Sequence, residues 1–240
     1  MSEGPLAALR LSPGVAALVE AVLREAERRD LAVYLVGGPV RDLLLGQALR
    51  DVDLIVDSAS CSAEDLARAA APVGAEVVSH DRFGTVRLQD ASAALDLAGT
   101  RSEHYARPGA LPSVAPGSVE QDLRRRDFTV NAMALPLSRE ARRSLRPERR
   151  EKEPALLAPE GARGDLQARV LRILHPRSFH DDPTRALRAA RLAARLGFRL
   201  SRGSRSALRS ALRDGVFGAV SGALSSGLGP SIWSLKLSIS

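Results

Sequence analysis

The sequence predicts an α+β fold: a mixed β-sheet with flanking helices, followed by an all-α segment. Three observations carry this. Short β-rich runs recur between helical stretches up to about residue 138, the periodicity beyond Leu166 is helical, and glycine and proline mark the joints.

Taken in order, residues 14–29 repeat apolar side chains at helical spacing through Val15, Leu18, Val19, Val22 and Leu23, with charges on the other face, so this helix is expected to cover the sheet. Ala32–Val36 is a short β-rich run ending at Gly37 and Gly38, which predicts a strand entering a tight turn. Pro39 suits the first turn of a helix, where its missing N–H goes unnoticed, and Gly46 suits the stop. In the run from Asp51 to Val56, alternation puts Asp51, Asp53 and Ile55 on one face and Val52, Leu54 and Val56 on the other. Ala63–Ala71 reads as a helix, and Glu76–Ser79, Thr85–Leu88 and Ala94–Leu97 as short strands. Between Thr100 and Ser118, Pro108, Pro112 and Pro116 with Gly109 and Gly117 predict a long loop that hinges or guides substrate. Ser138–Glu153, with Arg142, Arg143, Arg146, Arg149 and Arg150, reads as a solvated insertion or linker. No internal repeat is present.

Composition narrows the function. A chain of 240 residues, 45% hydrophobic, buries a sizeable core. Its net charge is +7, and since only Lys152 and Lys236 are lysine, arginine supplies 33 of the 35 basic residues, which favours a polyanionic partner. Aromatic residues make up 3%, so any stacking on bases is expected from guanidinium planes more than rings. The single cysteine, Cys61, rules out an internal disulfide and suits a reducing cytoplasm. Neither a twenty-residue apolar run nor a signal peptide is recognisable, and His80, His104, His175 and His180 lack the cysteine partners of a zinc site.

Two sequence-adjacent features imply chemistry. The turn at Gly37 and Gly38, opening a helix that carries Arg41, is built to hold phosphate through backbone N–H groups and a guanidinium. Asp51 and Asp53, projecting together, repel each other unless a cation sits between them, and hard oxygen ligands favour Mg²⁺ bridged to phosphates. Two such ions, roughly 3.5–4 Å apart, activate an attacking hydroxyl and stabilise a leaving pyrophosphate. The combination reads as a nucleotidyl-transfer site. A dinucleotide-binding module is excluded, because no Gly-x-Gly-x-x-Gly follows the strand.

Two further constellations follow. In the segment from Asp122 to Ala134, three consecutive arginines precede Asp127; they are suited to triphosphate oxygens, and Asp127 to a ribose hydroxyl. In the segment Ser178–Arg191, Pro183 suits a first helical position, Asp182 its N-cap, and Arg185 the neighbouring surface. Cytosine and adenine each present an exocyclic amine beside an acceptor nitrogen, so a carboxylate next to a guanidinium matches both. Uracil and guanine present the reverse order. Asp182 and Arg185 would thus select CTP and ATP without a template.

Gly37-Gly-Pro-Val-Arg-Asp42, Asp51-Val-Asp53, Arg125-Arg-Asp-Phe-Thr-Val-Asn-Ala132 and Asp181-Asp-Pro-Thr-Arg185 together resemble, in order, the motifs of class II tRNA nucleotidyltransferases and bacterial poly(A) polymerases. The resemblance runs from about residue 31 to about 200. It implies a polymerase-β-like catalytic head over residues 1–138, a basic linker over 139–160 and a helical, base-selecting neck over 161–222. It implies Asp51 and Asp53 as catalytic metal ligands, Asp96 as a supporting ligand, and Gly37, Gly38, Arg41, Asp42, Arg126, Asp127 and Asn131 as nucleotide and phosphate contacts. Asp182 and Arg185 become the base template, with Arg188 and Arg191 as further neck contacts. The implied activity is addition of C and A from CTP and ATP to the 3′ end of tRNA, with Mg²⁺ as cofactor; CC-only, A-only and poly(A) addition share every motif.

The chain departs from that pattern twice. Ala158-Pro-Glu-Gly-Ala-Arg-Gly-Asp-Leu166 lacks the aspartate and one glycine that the family places before the neck. Residues 223–240 turn abruptly Ser- and Gly-rich, which reads as an aberrant terminus where a tRNA-gripping body is expected, and an RNA-binding remnant is the reading from a different class.

Overall fold

The structure is a computed structural model that describes residue 9 and residues 11–49, 51–57, 61–80, 84–107, 109–110, 112–137 and 156–217. The expected basic segment 138–153 and terminus 223–240 lie outside the described residues.

Helix α1 (Pro13–Arg28) begins where Ser12 Oγ accepts from the Val15 N–H, and it buries Leu18, Val19, Val22 and Leu23. Strand β1 (Ala32–Val36) ends at Gly37, α2 (Gly38–Leu44) follows, and Gly46 closes it at φ +72°. Then come β2 (Asp53–Asp57), α3 (Ala63–Ala70), β3 (Glu76–His80), β4 (Thr85–Gln89) and β5 (Ala94–Gly99). Strand β8 (Ala134–Pro136) completes a six-stranded sheet ordered β3-β4-β5-β2-β1-β8, in which β2 and β5 run parallel and the other neighbours antiparallel.

The alternation read from the sequence sorts the two faces of this sheet. Val52, Leu54 and Val56 join the main core under α1 and α3, with Leu35, Leu95 and Leu97. Ile55 points the other way and packs with Val36 and Ala134 against Val119 and Leu123 of α4 (Val119–Arg124). Asp53 shares the Ile55 face, so it stands on the side not covered by α1 and α3.

The expected loop between Thr100 and Ser118 is instead mostly a hairpin, β6 (Arg101–His104) paired antiparallel with β7 (Ser113–Pro116). Prolines are compatible with it because a two-stranded ribbon has free edges: Pro116 sits at its end opposite Arg101, and Pro112 lies outside the pairing.

After residue 156 the chain forms α5 (Ala162–Gln167), α6 (Ser178–Asp181), α7 (Thr184–Leu196) and α8 (Arg202–Arg213). This part is not purely helical, since β9 (Val170–Leu171) and β10 (Arg199–Leu200) pair in parallel. Nor does it hang from the sheet on a plain linker. Leu157 exchanges both backbone hydrogen bonds with Ala134 on the sheet edge. Phe128 bridges to Ile173, and the Thr129 N–H donates to the Arg172 carbonyl at 2.8 Å. Phe128, Met133, Leu171, Phe179 and Leu208 are therefore members of one continuous core. Among the described residues no helix is long and apolar enough to cross a membrane.

Candidate active site

A cleft of about 870 Å³ opens where the sheet, the β6–β7 hairpin and α7 meet. Its wall gathers sequence-distant groups: Gly37 and Gly38, Asp53, Arg125 to Asp127, Asn131, and Asp182 with Arg185. Four segments singled out in the sequence thus share one space.

Gly37 has φ +74° and lies under Arg126; a Cβ added there would come within 2.8 Å of Arg126 Nη1. Its own N–H donates to the Met133 carbonyl at 3.0 Å, so this group is not available to a phosphate as expected. Arg41 also differs from expectation. It is buried, its Nε and Nη2 donate to Asp42 Oδ1 at 2.8 and 2.7 Å, and its Nη1 donates to Asn131 Oδ1. It acts as a strut tying α2 to the turn at Asn131, with only its remaining N–H bonds facing the cleft. Gly37→Ala is expected to cost about 1–3 kcal/mol through backbone strain and to displace Arg126. Thermal unfolding together with CTP affinity checks both effects.

The carboxylates sit as the alternation requires, with one adjustment. Strand β2 starts at Asp53, leaving Asp51 exposed just ahead of it and outside the cleft wall. Asp53 is directly in register with Asp96 across the parallel β2–β5 pair. Burial, then the negative charge of Asp96, pushes the Asp53 carboxyl above its ordinary range; Arg126 offsets part of this and Asp51 adds to it. Asp96 is also approached by Arg87 from β4 at 3.5 Å. Among the described residues no three of His, Cys, Asp and Glu are gathered closely enough to enclose a metal ion by themselves. The donor set is therefore one or two carboxylates, which suits Mg²⁺ completed by substrate oxygens.

The arginine run is organised by Asp122, fully buried on α4. Its Oδ1 accepts from Arg125 Nε and Nη2 at 3.0 and 2.7 Å, and its Oδ2 from Arg126 Nε and Nη2 at 3.2 and 2.8 Å. This fork aims Arg126 at the Gly37 turn and Asp53. Asp127 is buried as well: Oδ1 accepts from the Phe128 N–H and Asn131 Nδ2, and Oδ2 from Arg188 Nε at 2.8 Å. A sugar hydroxyl reaching Asp127 would share it with Arg188.

Asp182 and Arg185 lie side by side at the start of α7, with Arg185 Nε 3.7 Å from Asp182 Oδ2. The helix begins at Thr184 with Pro183 as its N-cap, one residue later than expected; Asp182, extended just ahead of it, accepts at Oδ1 from the Thr184 N–H at 2.9 Å and from its hydroxyl at 2.5 Å. Oδ2 is left facing its neighbour. Arg185, expected on the surface, is buried; Nη1 donates to Ser178 Oγ at 2.6 Å and Nη2 to the Arg125 carbonyl at 2.7 Å. Arg188 and Arg191 follow on the cleft side of α7.

Several cleft residues escaped the sequence reading. Arg101, Glu103 and Tyr105 come from the hairpin, and Arg195 reaches Asp42 at 3.4 Å. The alternation Arg-x-Glu-x-Tyr was a usable signal, hidden by neighbouring prolines. Arg195 was detectable as the helical continuation of 185, 188 and 191.

Residues 33–145 match the family described as the Poly A polymerase head domain. The chain is 42% identical over 164 residues to the A-adding tRNA nucleotidyltransferase of Aquifex aeolicus, covering 68% of this chain and 18% of that protein. It is 43% identical over 176 residues to the CC-adding tRNA nucleotidyltransferase of Deinococcus radiodurans, covering 71% and 43%. Among solved structures it is similar to the Thermotoga maritima CCA-adding enzyme complexed with tRNA, with a TM-score of 0.67 and 32% identity over 88% of this chain and 46% of that one. The chain spans less than half the length of each of these proteins.

Proposed function

Because this chain belongs, through the head domain at residues 33–145, to the tRNA nucleotidyltransferase and poly(A) polymerase family, we propose that it is a template-independent nucleotidyltransferase adding C and A residues from CTP and ATP to the 3′ end of tRNA. The observation that carries this reading is the single cleft joining the Gly37 turn, Asp53, Arg126 and the Asp182–Arg185 pair. The names of these three similar proteins all mention tRNA and divide over CC, A and CCA addition. A cytoplasmic location accords with a tRNA substrate.

In this reading the 3′-hydroxyl attacks the α-phosphorus of the incoming nucleotide, a new P–O bond forms, the bond to the bridging oxygen breaks and pyrophosphate leaves. Asp53, with Asp51 or Asp96 as a second carboxylate, would hold Mg²⁺, which when bound lowers the pKa of the attacking hydroxyl and neutralises the leaving charge. Arg126, fixed by Asp122, takes phosphate oxygens above Gly37. Asp127 with Asn131 orients the sugar, and Asp42 and Arg41 hold Asn131 in place. Asp182 Oδ2 accepts from the exocyclic amine of cytosine or adenine, and Arg185 donates to the adjacent ring nitrogen. Catalysis is then mostly positioning and electrostatics.

The test is incorporation of each labelled nucleotide, alone and combined, into tRNA transcripts ending before CCA or after CC, and into an unrelated RNA. C and A addition confined to tRNA is expected. CC alone, A only after CC, or A tracts on any RNA would replace this activity by a narrower or less selective one, and no incorporation by folded protein would leave an RNA-binding remnant.

A further inference from the structure

We propose that Arg87 is the built-in counter-ion of the carboxylate site: it holds Asp96 until a divalent cation displaces it, and so sets how tightly that cation is held. This rests on the reading of Asp53 and Asp96 as carboxylates for Mg²⁺. The geometry is a single row across the open face of the sheet. Asp53 on β2 is in register with Asp96 on β5, Asp96 with Arg87 on β4, and Arg87 with Val78 on β3. The neighbours of Arg87 along its strand, Val86 and Leu88, are buried in the main core, so alternation turns the guanidinium to the same side as Asp53. There Arg87 Nη1 donates to Asp96 Oδ1 at 3.5 Å.

Two observations separate this pair from ordinary support of the surface. The first is the partner. Glu76 shares that face at the sheet edge, but it accepts from Gln89 Nε2 at 3.0 Å, and among the described residues Arg87 is hydrogen-bonded to Asp96 alone. The row therefore runs from two facing carboxylates to one cation and ends on an apolar residue. Arg126 reaches Asp53 from the other end, but two bonds to Asp122 fix it in place, whereas Arg87 has no second anchor among the described residues. The second observation is how weakly the pair is held. Its side chains are 46% and 36% exposed at a separation of 3.5 Å, and an ion pair of that kind contributes little to stability. A divalent cation carries twice the charge and favours carboxylate oxygen, so it can take Asp96 from a guanidinium held this loosely. Without either cation, Asp96 and Asp53 repel each other. Arg87 thus keeps the empty site neutralised and lowers its affinity for metal by the strength of one exposed ion pair.

The experiment is Mn²⁺ titration of the full chain with CTP present and RNA withheld, so that nothing turns over, with CTP alone as the blank. Loss of the free-ion paramagnetic resonance signal reports binding for wild type, Asp53→Ala, Arg87→Gln, Arg87→Lys, Asp96→Asn and the double variant of Arg87→Gln with Asp96→Asn. Arg87→Gln is expected to bind Mn²⁺ roughly three- to fivefold more tightly, while Arg87→Lys keeps the charge and stays near wild type. Asp96→Asn should weaken binding and cancel the gain in the double variant, which a change in net charge alone would not do. Thermal melts of the Arg87 variants should stay close to wild type. Unchanged or weaker binding in Arg87→Gln, an equal gain in Arg87→Lys, or a gain that persists in the double variant overturns the counter-ion role alone. Wild-type binding no greater than the blank, or binding unaltered by Asp53→Ala, overturns the metal reading and the counter-ion role with it.

Discussion

Replacing Asp53 by alanine is expected to lower nucleotide incorporation on the order of 10³-fold or more while leaving the fold as stable as before, or slightly more so. The two effects have one cause. Asp53 stands on the open face of the sheet, in register with Asp96 and close to Asp51, and burial beside like charges raises its pKa. A group whose pKa is raised on folding favours the protonated, neutral form in the folded state. Its ionised form at neutral pH therefore costs stability, and alanine removes that cost. What alanine also removes is the cleft-lining carboxylate proposed to hold a phosphate-bridging cation. Incorporation into tRNA, measured beside a thermal melt, separates the effects; near-normal turnover would remove Asp53 from the chemistry.

Asp122→Ala should behave in the opposite sense, with stability falling by about 3–5 kcal/mol because two arginines lose their common buried partner. At the size of this chain that corresponds to a melting temperature lower by on the order of 10 °C. Asp122→Asn divides the two dependents. An asparagine oxygen can still serve Arg125, but its amide then faces Arg126, so Arg126 should leave its place above Gly37 while Arg125 stays. Expected are a smaller loss of stability than in alanine and a loss of triphosphate affinity. Chemical denaturation and nucleotide titration of the two variants together decide it: equal stabilities would show that Arg125 gains nothing from the retained oxygen.

What was legible in the sequence was what local chemistry determines. Strand β1 and its turn were readable because five apolar, β-rich residues meet two glycines, and Gly37 does adopt a backbone that other residues rarely enter. The division of β2 into a core face and a site face followed from period-2 alternation, whereas the helix after Asp182 starts one residue later than the proline suggested, with Pro183 itself as the N-cap. The hairpin was not legible, because proline counts against a strand locally, whereas pairing Arg101 with Pro116 depends on a segment twelve or more residues away. The burial of Arg41 and Arg185 was hidden for the same reason. Besides the nearby Asp42 and Ser178, their partners are Asn131 and a backbone carbonyl at Arg125, and nothing near an arginine in sequence announces an acceptor 60 or 90 positions distant. The continuity of the core from sheet to helices was likewise invisible, since a shift in composition near residue 138 resembles a boundary whether or not Leu157 returns to the sheet.

That return has a further meaning. The chain departs from the sheet just after Leu137, whose N–H is held by the Val33 carbonyl, and it is back on the same edge at Leu157. Leu137 and Leu157 are thus both pinned beside β8, and the helices that follow enter the fold from a fixed point. The helices carrying Asp182 and Arg185 therefore start from a point on the strand that pairs with β1, so the two sides of the cleft are expected to unfold as one cooperative unit in chemical denaturation.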